Sequence, residues 1–163
     1  MGYGRSSGQP SEHALFAAAL DAYDYLVANK SVAPESIVPM GRSLGSGVAT
    51  YLAANRTVRG VVLITPYDSM TNVAREHFGY LPVSLLLKHR FESSRVAQSL
   101  DKPALLLAAE HDNVVPVAHA RALDESWRGP HRLVELSGKG HNDIESHAAY
   151  YDTINKFLAS LPR

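Results

Sequence analysis

Between Ile37 and Ala49 the chain reads Ile-Val-Pro-Met-Gly-Arg-Ser-Leu-Gly-Ser-Gly-Val-Ala, an apolar run, a Gly-x-Ser-x-Gly turn at Ser43, and then a helical stretch. Val48, Ala49, Tyr51 and Leu52 recur at helical spacing, so the turn sits in the strand-turn-helix setting that this pattern requires. The serine of such a turn is held in a strained backbone conformation, and glycines flank it because side chains there would collide with neighbouring chain. A hydroxyl is a poor nucleophile at neutral pH and needs a histidine to take its proton and a carboxylate to orient that histidine. Two rival readings of the glycines fail on the residues. A phosphate-cradling Walker loop needs Gly-Lys-Ser/Thr, and no Lys follows Gly45 or Gly47; a dinucleotide loop beginning at Gly45 would need Gly where Thr50 stands.

Strand and helix signals alternate along the rest of the chain. Residues 1 to 10 carry Gly2, Gly4, Gly8 and Pro10 and read as a loop. Ser11 reads as the cap of an amphipathic helix to about Asn29, with Leu15, Ala18, Ala19, Ala22 and Leu26 on its apolar face and Glu12 in its first turn. A strand over Ile37 to Met40 enters the turn, although Pro39 cannot supply a backbone donor there. Gly60 to Thr65 and Ala104 to Ala109 are continuous apolar runs of the kind buried on both faces of a parallel sheet. Pro116 to Trp127 reads as a helix and His131 to Leu136 as a fourth strand. Asp143 is expected to cap a last helix bearing Ile144, Tyr150, Ile154, Phe157 and Leu158. Residues 66 to 101 hold short helices around Met70 to His77, Pro82 to His89 and Ser93 to Leu100; this cap-like segment is read as partly covering the site, with Tyr67, Met70, Phe78 and Leu81 as candidate substrate contacts and ordinary core packing as the alternative. No repeat or linker divides residues 1 to 163, which read as one α/β domain with a mostly parallel sheet and helices on both faces.

Sixteen basic residues balance sixteen acidic ones, which leaves no electrostatic case for nucleic acid or an anionic membrane surface. Cysteine is absent, excluding disulfides, thiolate metal sites and cysteine nucleophiles, and fitting a cytoplasmic location. No apolar run approaches the length of a membrane span, and Met1 to Gly8 does not resemble a signal peptide. His13, His77, His89, His111, His119, His131 and His147 lack a metal-binding pattern and read as surface or structural. No metal or other cofactor is expected.

Ser43, Asp112 and His141 each follow a strand, and ligands gather at the carboxyl ends of strands in such sheets. The order Ser, acid, His also matches one known arrangement of these three groups. On Gly2-Tyr3-Gly4-Arg5-Ser6-Ser7-Gly8 with Pro10, Gly41 to Gly47, His111-Asp112-Asn113-Val114-Val115-Pro116 and Gly140-His141-Asn142-Asp143-Ile144, the chain resembles the alpha/beta-hydrolase superfamily, in particular its small-capped serine esterases and its lysophospholipase-like and depalmitoylating-type hydrolases. The resemblance implies Ser43 as nucleophile, His141 as general base and then acid, Asp112 as orienting carboxylate and the backbone N–H of Leu44 as an oxyanion donor. Asp68, also just past a strand, is the alternative acid. The implied substrate is a small-molecule carboxylic ester or thioester.

The segment Gly2 to Gly8 resembles one that follows the fourth strand in full-length relatives. The resemblance therefore implies an N-terminally truncated hydrolase, without the earlier strands or the loop that supplies a second oxyanion N–H. The strand entering Ser43 is then expected to be an open sheet edge, through which the chain could form a homodimer. A catalytically weak or inactive domain acting in association is the alternative function.

Overall fold

The structure, a computed structural model, describes residues 8–162. Its strands are β1 (Met40–Arg42), β2 (Val61–Ile64), β3 (Ala104–Ala109) and β4 (His131–Leu136), paired in parallel in the order β1-β2-β3-β4. Its helices are α1 (Glu12–Lys30), α2 (Leu44–Asn55), α3 (Met70–His77), α4 (Val83–Leu86), α5 (Ser93–Ala97), α6 (Val117–Ser126) and α7 (Tyr150–Ser160). Alternate strand residues face opposite ways. Val61, Leu63, Ala104 and Leu106 enter one core with Tyr23 of α1, Ala49 and Ala53 of α2, Ala97 of α5 and Leu123 of α6. Val62, Ile64, Leu105 and Leu107 enter a second with Tyr150 and Ile154 of α7 and with Ile144. Helices thus cover both faces, which is why β2 and β3 carry no polar side chain.

Several local expectations shift. The strand before Ser43 is Met40–Arg42 rather than Ile37 to Met40, so Pro39 precedes the ladder and contributes only its carbonyl, which accepts from Val62 N at 3.0 Å. Ser11 caps α1 by accepting from Ala14 N, but burial on that helix centres on Tyr23, whereas Leu26 is exposed. Tyr23 is drawn inward because its hydroxyl donates to the Thr57 carbonyl at 2.6 Å. Asp143 does not cap the last helix: its Oδ1 accepts from Gly140 N at 2.8 Å, a 3-10 turn follows at Ile144–Ser146, and α7 begins at Tyr150. In the segment 66 to 101, α5 packs against α2 as part of the first core. The helix around Pro82 to His89 shortens to the single turn of α4.

Candidate active site

Ser43 joins β1 to α2 at φ 51° and ψ −122°, a conformation costing an L residue on the order of 1–3 kcal/mol. Its backbone is held from both sides, by Ser43 N donating to the Ile64 carbonyl at 2.9 Å and by Ser46 N donating to the Ser43 carbonyl at 2.8 Å. The flanking glycines play unequal parts. A Cβ on Gly41 would lie 2.1 Å from the Gly45 carbonyl oxygen, so only glycine fits there. At Gly45, contrary to the expected crowding, a Cβ would meet nothing within 4 Å among the described residues. Gly47 instead makes room for Tyr67, whose hydroxyl oxygen a Cβ would meet at 2.4 Å. The side chain of Ser43 does not cap α2, and the N–H of Leu44, first in the helix, has no acceptor within it.

Asp112 follows β3. Its Oδ1 accepts from Val114 N at 2.9 Å and Val115 N at 2.7 Å, and its Oδ2 accepts from His141 Nδ1 at 2.7 Å. Both side chains are buried. With Nδ1 donating to the carboxylate, the lone pair of the neutral ring lies on Nε2. β1 and β4 are the outer strands of the four, three spacings or about 14 Å apart. The loop after Leu136 closes that gap by running back over the strand ends, fastened by Gly138 N to Glu110 Oε2 and by His111 N to the Lys139 carbonyl, both at 2.8 Å. Arg42 completes the closure: Nη2 donates to the His141 carbonyl at 2.6 Å and Nη1 to Glu145 Oε2 at 2.9 Å. The structure therefore brings the His141 backbone against the residue preceding Ser43.

Asp68 lies elsewhere in the hydrogen-bond network. Its Oδ1 accepts from His119 Nδ1 at 2.8 Å and its Oδ2 from the Asn72 amide. His119 Nε2 also stands 2.9 Å from Glu76 Oε2, close enough for an ion pair but without hydrogen-bond alignment. Buried His119 thereby links the loop after β2, α3 and α6. Tyr67, expected to line the pocket, is fully buried under α2, where its hydroxyl donates to the Leu44 carbonyl at 3.3 Å. Burial pushes its phenol well above the ordinary tyrosine range. Met70 is partly buried against the cluster formed by Tyr67, Val73, Phe91 and Val115, while Phe78 and Leu81 are exposed. His77 Nε2 donates to the Val114 carbonyl at 2.9 Å, setting the end of α3 over the Asp112 turn. Arg42, Glu145 and the His119 link escape sequence reading because their partners lie 99, 103 and 51 residues away, beyond any local pattern. Among the described residues, no three His, Cys, Asp or Glu side chains are grouped to hold a metal ion. No helix among them is long and apolar enough to cross a membrane.

Ser43, Asp112 and His141 thus follow β1, β3 and β4 at the carboxyl ends of a parallel sheet. The family described as TAP-like protein matches residues 85–162. An uncharacterized protein of Mycobacterium tuberculosis is 35% identical over 159 residues, covering 96% of this chain and 57% of that protein. Human alpha/beta hydrolase domain-containing protein 17B is 28% identical over 158 residues, covering 97% of this chain and 54% of its own. Among solved structures, an alpha-beta hydrolase from Vibrio vulnificus superposes with a TM-score of 0.74 at 25% identity, over 96% of this chain and 61% of that one. Acetyl xylan esterase from Paenibacillus sp. R4 shares the fold at a TM-score of 0.75 and 15% identity, over 91% of this chain and 52% of the esterase. The fold is that of the alpha/beta hydrolases, and the matching family model and sequence relatives support the alpha/beta-hydrolase superfamily. The chain spans a little over half the length of these two sequence relatives.

Proposed function

We propose that this chain is a serine hydrolase that cleaves a carboxylic ester or thioester through an acyl-enzyme on Ser43. The observation that carries this reading is the Asp112–His141 hydrogen bond, on a loop whose His141 carbonyl accepts from Arg42, the residue before a serine held at positive φ on a strand-to-helix turn. Ser43 Oγ attacks the carbonyl carbon as its proton passes to His141 Nε2. Asp112, facing Nδ1, stabilises the imidazolium that forms. The negative charge on the carbonyl oxygen is met by the N–H of Leu44 at the start of α2. Collapse breaks the bond to the alcohol or thiol, which leaves with the proton from Nε2; water, deprotonated by the same nitrogen, then releases the acid and restores Ser43. Met70, Phe78 and Leu81 are the proposed apolar contacts for the acyl group; the exposure of Phe78 and Leu81 supports this, as does His77, next to Phe78, which donates to the Val114 carbonyl of the Asp112 turn.

A second reading, a hydrolase-like domain acting in association, draws on two observations. β1 is outermost among the described strands, and Phe78, Tyr80, Leu81, Leu85 and Leu86 form an exposed apolar stretch. A fluorophosphonate probe separates the two. Stoichiometric labelling at Ser43, lost in Ser43→Ala, is the expected result. A folded chain that never labels, together with a dimer that Ser43→Ala leaves intact, would overturn the enzyme in favour of association.

A further inference from the structure

Arg42 ends β1 and immediately precedes Ser43. Since a Cβ on Gly41 would strike the Gly45 carbonyl, Gly41 faces α2, and strand alternation turns Arg42 the other way. On that side its guanidinium meets the loop that carries His141, donating through Nη2 to the His141 carbonyl at 2.6 Å and through Nη1 to Glu145 Oε2 at 2.9 Å. The remaining side-chain ties of this loop are local or lead to the end of β3: Gly140 N to Asp143 Oδ1, Lys139 Nζ to Ser146 Oγ and Gly138 N to Glu110 Oε2, each 2.8 Å. Among the described residues, both hydrogen bonds joining the loop to the Met40–Ser46 segment come from Arg42.

The ion pair within this arrangement adds little to stability. Arg42 and Glu145 are 36% and 49% exposed, and ion pairs between solvated side chains contribute little to folding. Geometry accounts for it better. Asp112 holds His141 at one ring atom, Nδ1. A second anchor on the same residue's carbonyl ties its backbone to the chain next to the serine. A planar fork with fixed donors serves both acceptors together, whereas the single ammonium of lysine is a point charge on a flexible stem.

We propose that Arg42 is a positioning residue: its two-pronged contact with the His141 carbonyl and Glu145 fixes the His141 ring relative to the Ser43 hydroxyl. The proposal rests on the hydrolase reading for its consequence, because a misplacement of about 1 Å can cost roughly a hundredfold in rate.

The test compares Arg42→Met, Arg42→Lys and Glu145→Gln with the unaltered chain by two measurements. The first is the solvent-exchange rate of the His141 Nδ1 proton, followed by NMR with ¹⁵N-histidine and assigned with His141→Gln. The second is the saturating rate and half-saturation concentration of fluorophosphonate labelling. In Arg42→Met the proton should exchange at least about tenfold faster, and the saturating rate should fall about ten- to a hundredfold with half-saturation unchanged. Arg42→Lys should fall between, and Glu145→Gln, which keeps an acceptor, should change least. Unchanged exchange and labelling in a folded Arg42→Met would overturn the proposal, as would full activity in Arg42→Lys with exchange unaltered. Faster exchange in an unaltered background that never labels would uphold the positioning role and overturn the hydrolase reading instead.

Discussion

Asp112 gives His141 only one of its two carboxylate oxygens: Oδ2 lies 2.7 Å from Nδ1, while Oδ1 is occupied by the N–H groups of Val114 and Val115 at 2.9 and 2.7 Å. That division predicts the effect of Asp112→Asn. The two N–H donors require an acceptor, so the asparagine carbonyl turns toward them and its amide faces His141. Nδ1 must then accept, which puts the ring proton on Nε2 and leaves no base for Ser43. The labelling rate at Ser43 should fall by roughly 10³–10⁴ with the fold retained. Asp68→Asn, whose parent carboxylate serves His119, should leave the rate in the same order of magnitude. A larger loss in Asp68→Asn than in Asp112→Asn would reverse the assignment of the acid.

The two glycines flanking Ser43 should respond oppositely to alanine. At Gly41 a methyl group meets backbone atoms 2.1–2.8 Å away that no rotamer change can clear, so Gly41→Ala should cost about 3 kcal/mol or more, or prevent folding. At Gly45, inside α2 and open to space, alanine should raise stability by about 0.5–1 kcal/mol. Urea denaturation of both variants checks this, and equal destabilisation would contradict it.

Tyr67 bears on alkaline stability. Burial raises its pKa in the folded chain above the 10.0 of a free phenol, so between pH 10 and that higher value the unfolded chain has released a proton that the folded chain retains. The unfolded state then binds fewer protons and stability falls as pH rises. The contribution is complete below pH 10 and disappears through the folded-state value. Tyr23 and Tyr150 are shifted the same way, chiefly by burial. Tyr67→Phe should therefore lessen the alkaline decline without abolishing it, as melting temperatures measured from pH 8 to 11 would show. An unaltered slope would place the cause elsewhere.

Glu12 fastens the start of α1 to a strained turn. Its Oε2 accepts from Arg90 N at 2.9 Å and its Oε1 from Phe91 N at 3.1 Å, where Phe91 is buried at φ 41°. Glu12→Ala leaves these donors without their acceptor and should cost about 1–3 kcal/mol. Amide exchange at Phe91 should accelerate, whereas exchange at Leu63 in the sheet should follow only the global change. Equal protection at Phe91 in both proteins would mean that another group holds the turn.

Much of the sheet was legible in the sequence because its signals are local. Continuous apolar runs mark β2 and β3 as buried on both faces, and Gly-x-Ser-x-Gly announces the turn at Ser43. Local rules misplaced Asp143, whose carboxylate folds back on Gly140, and Tyr67, whose aromatic character suited a pocket but whose hydroxyl points to the Leu44 carbonyl beneath the turn.

By itself the sequence determined the strand-helix alternation and the three residues that follow β1, β3 and β4, because each depends on a few neighbouring side chains. Only the tertiary structure decided which carboxylate meets His141 and how that residue reaches the Ser43 side of the sheet. Asp68 and Asp112 both follow apolar strands, so nothing local separates them. The distinction lies in the loop after β4, which runs back over about 14 Å of sheet and is secured by Arg42.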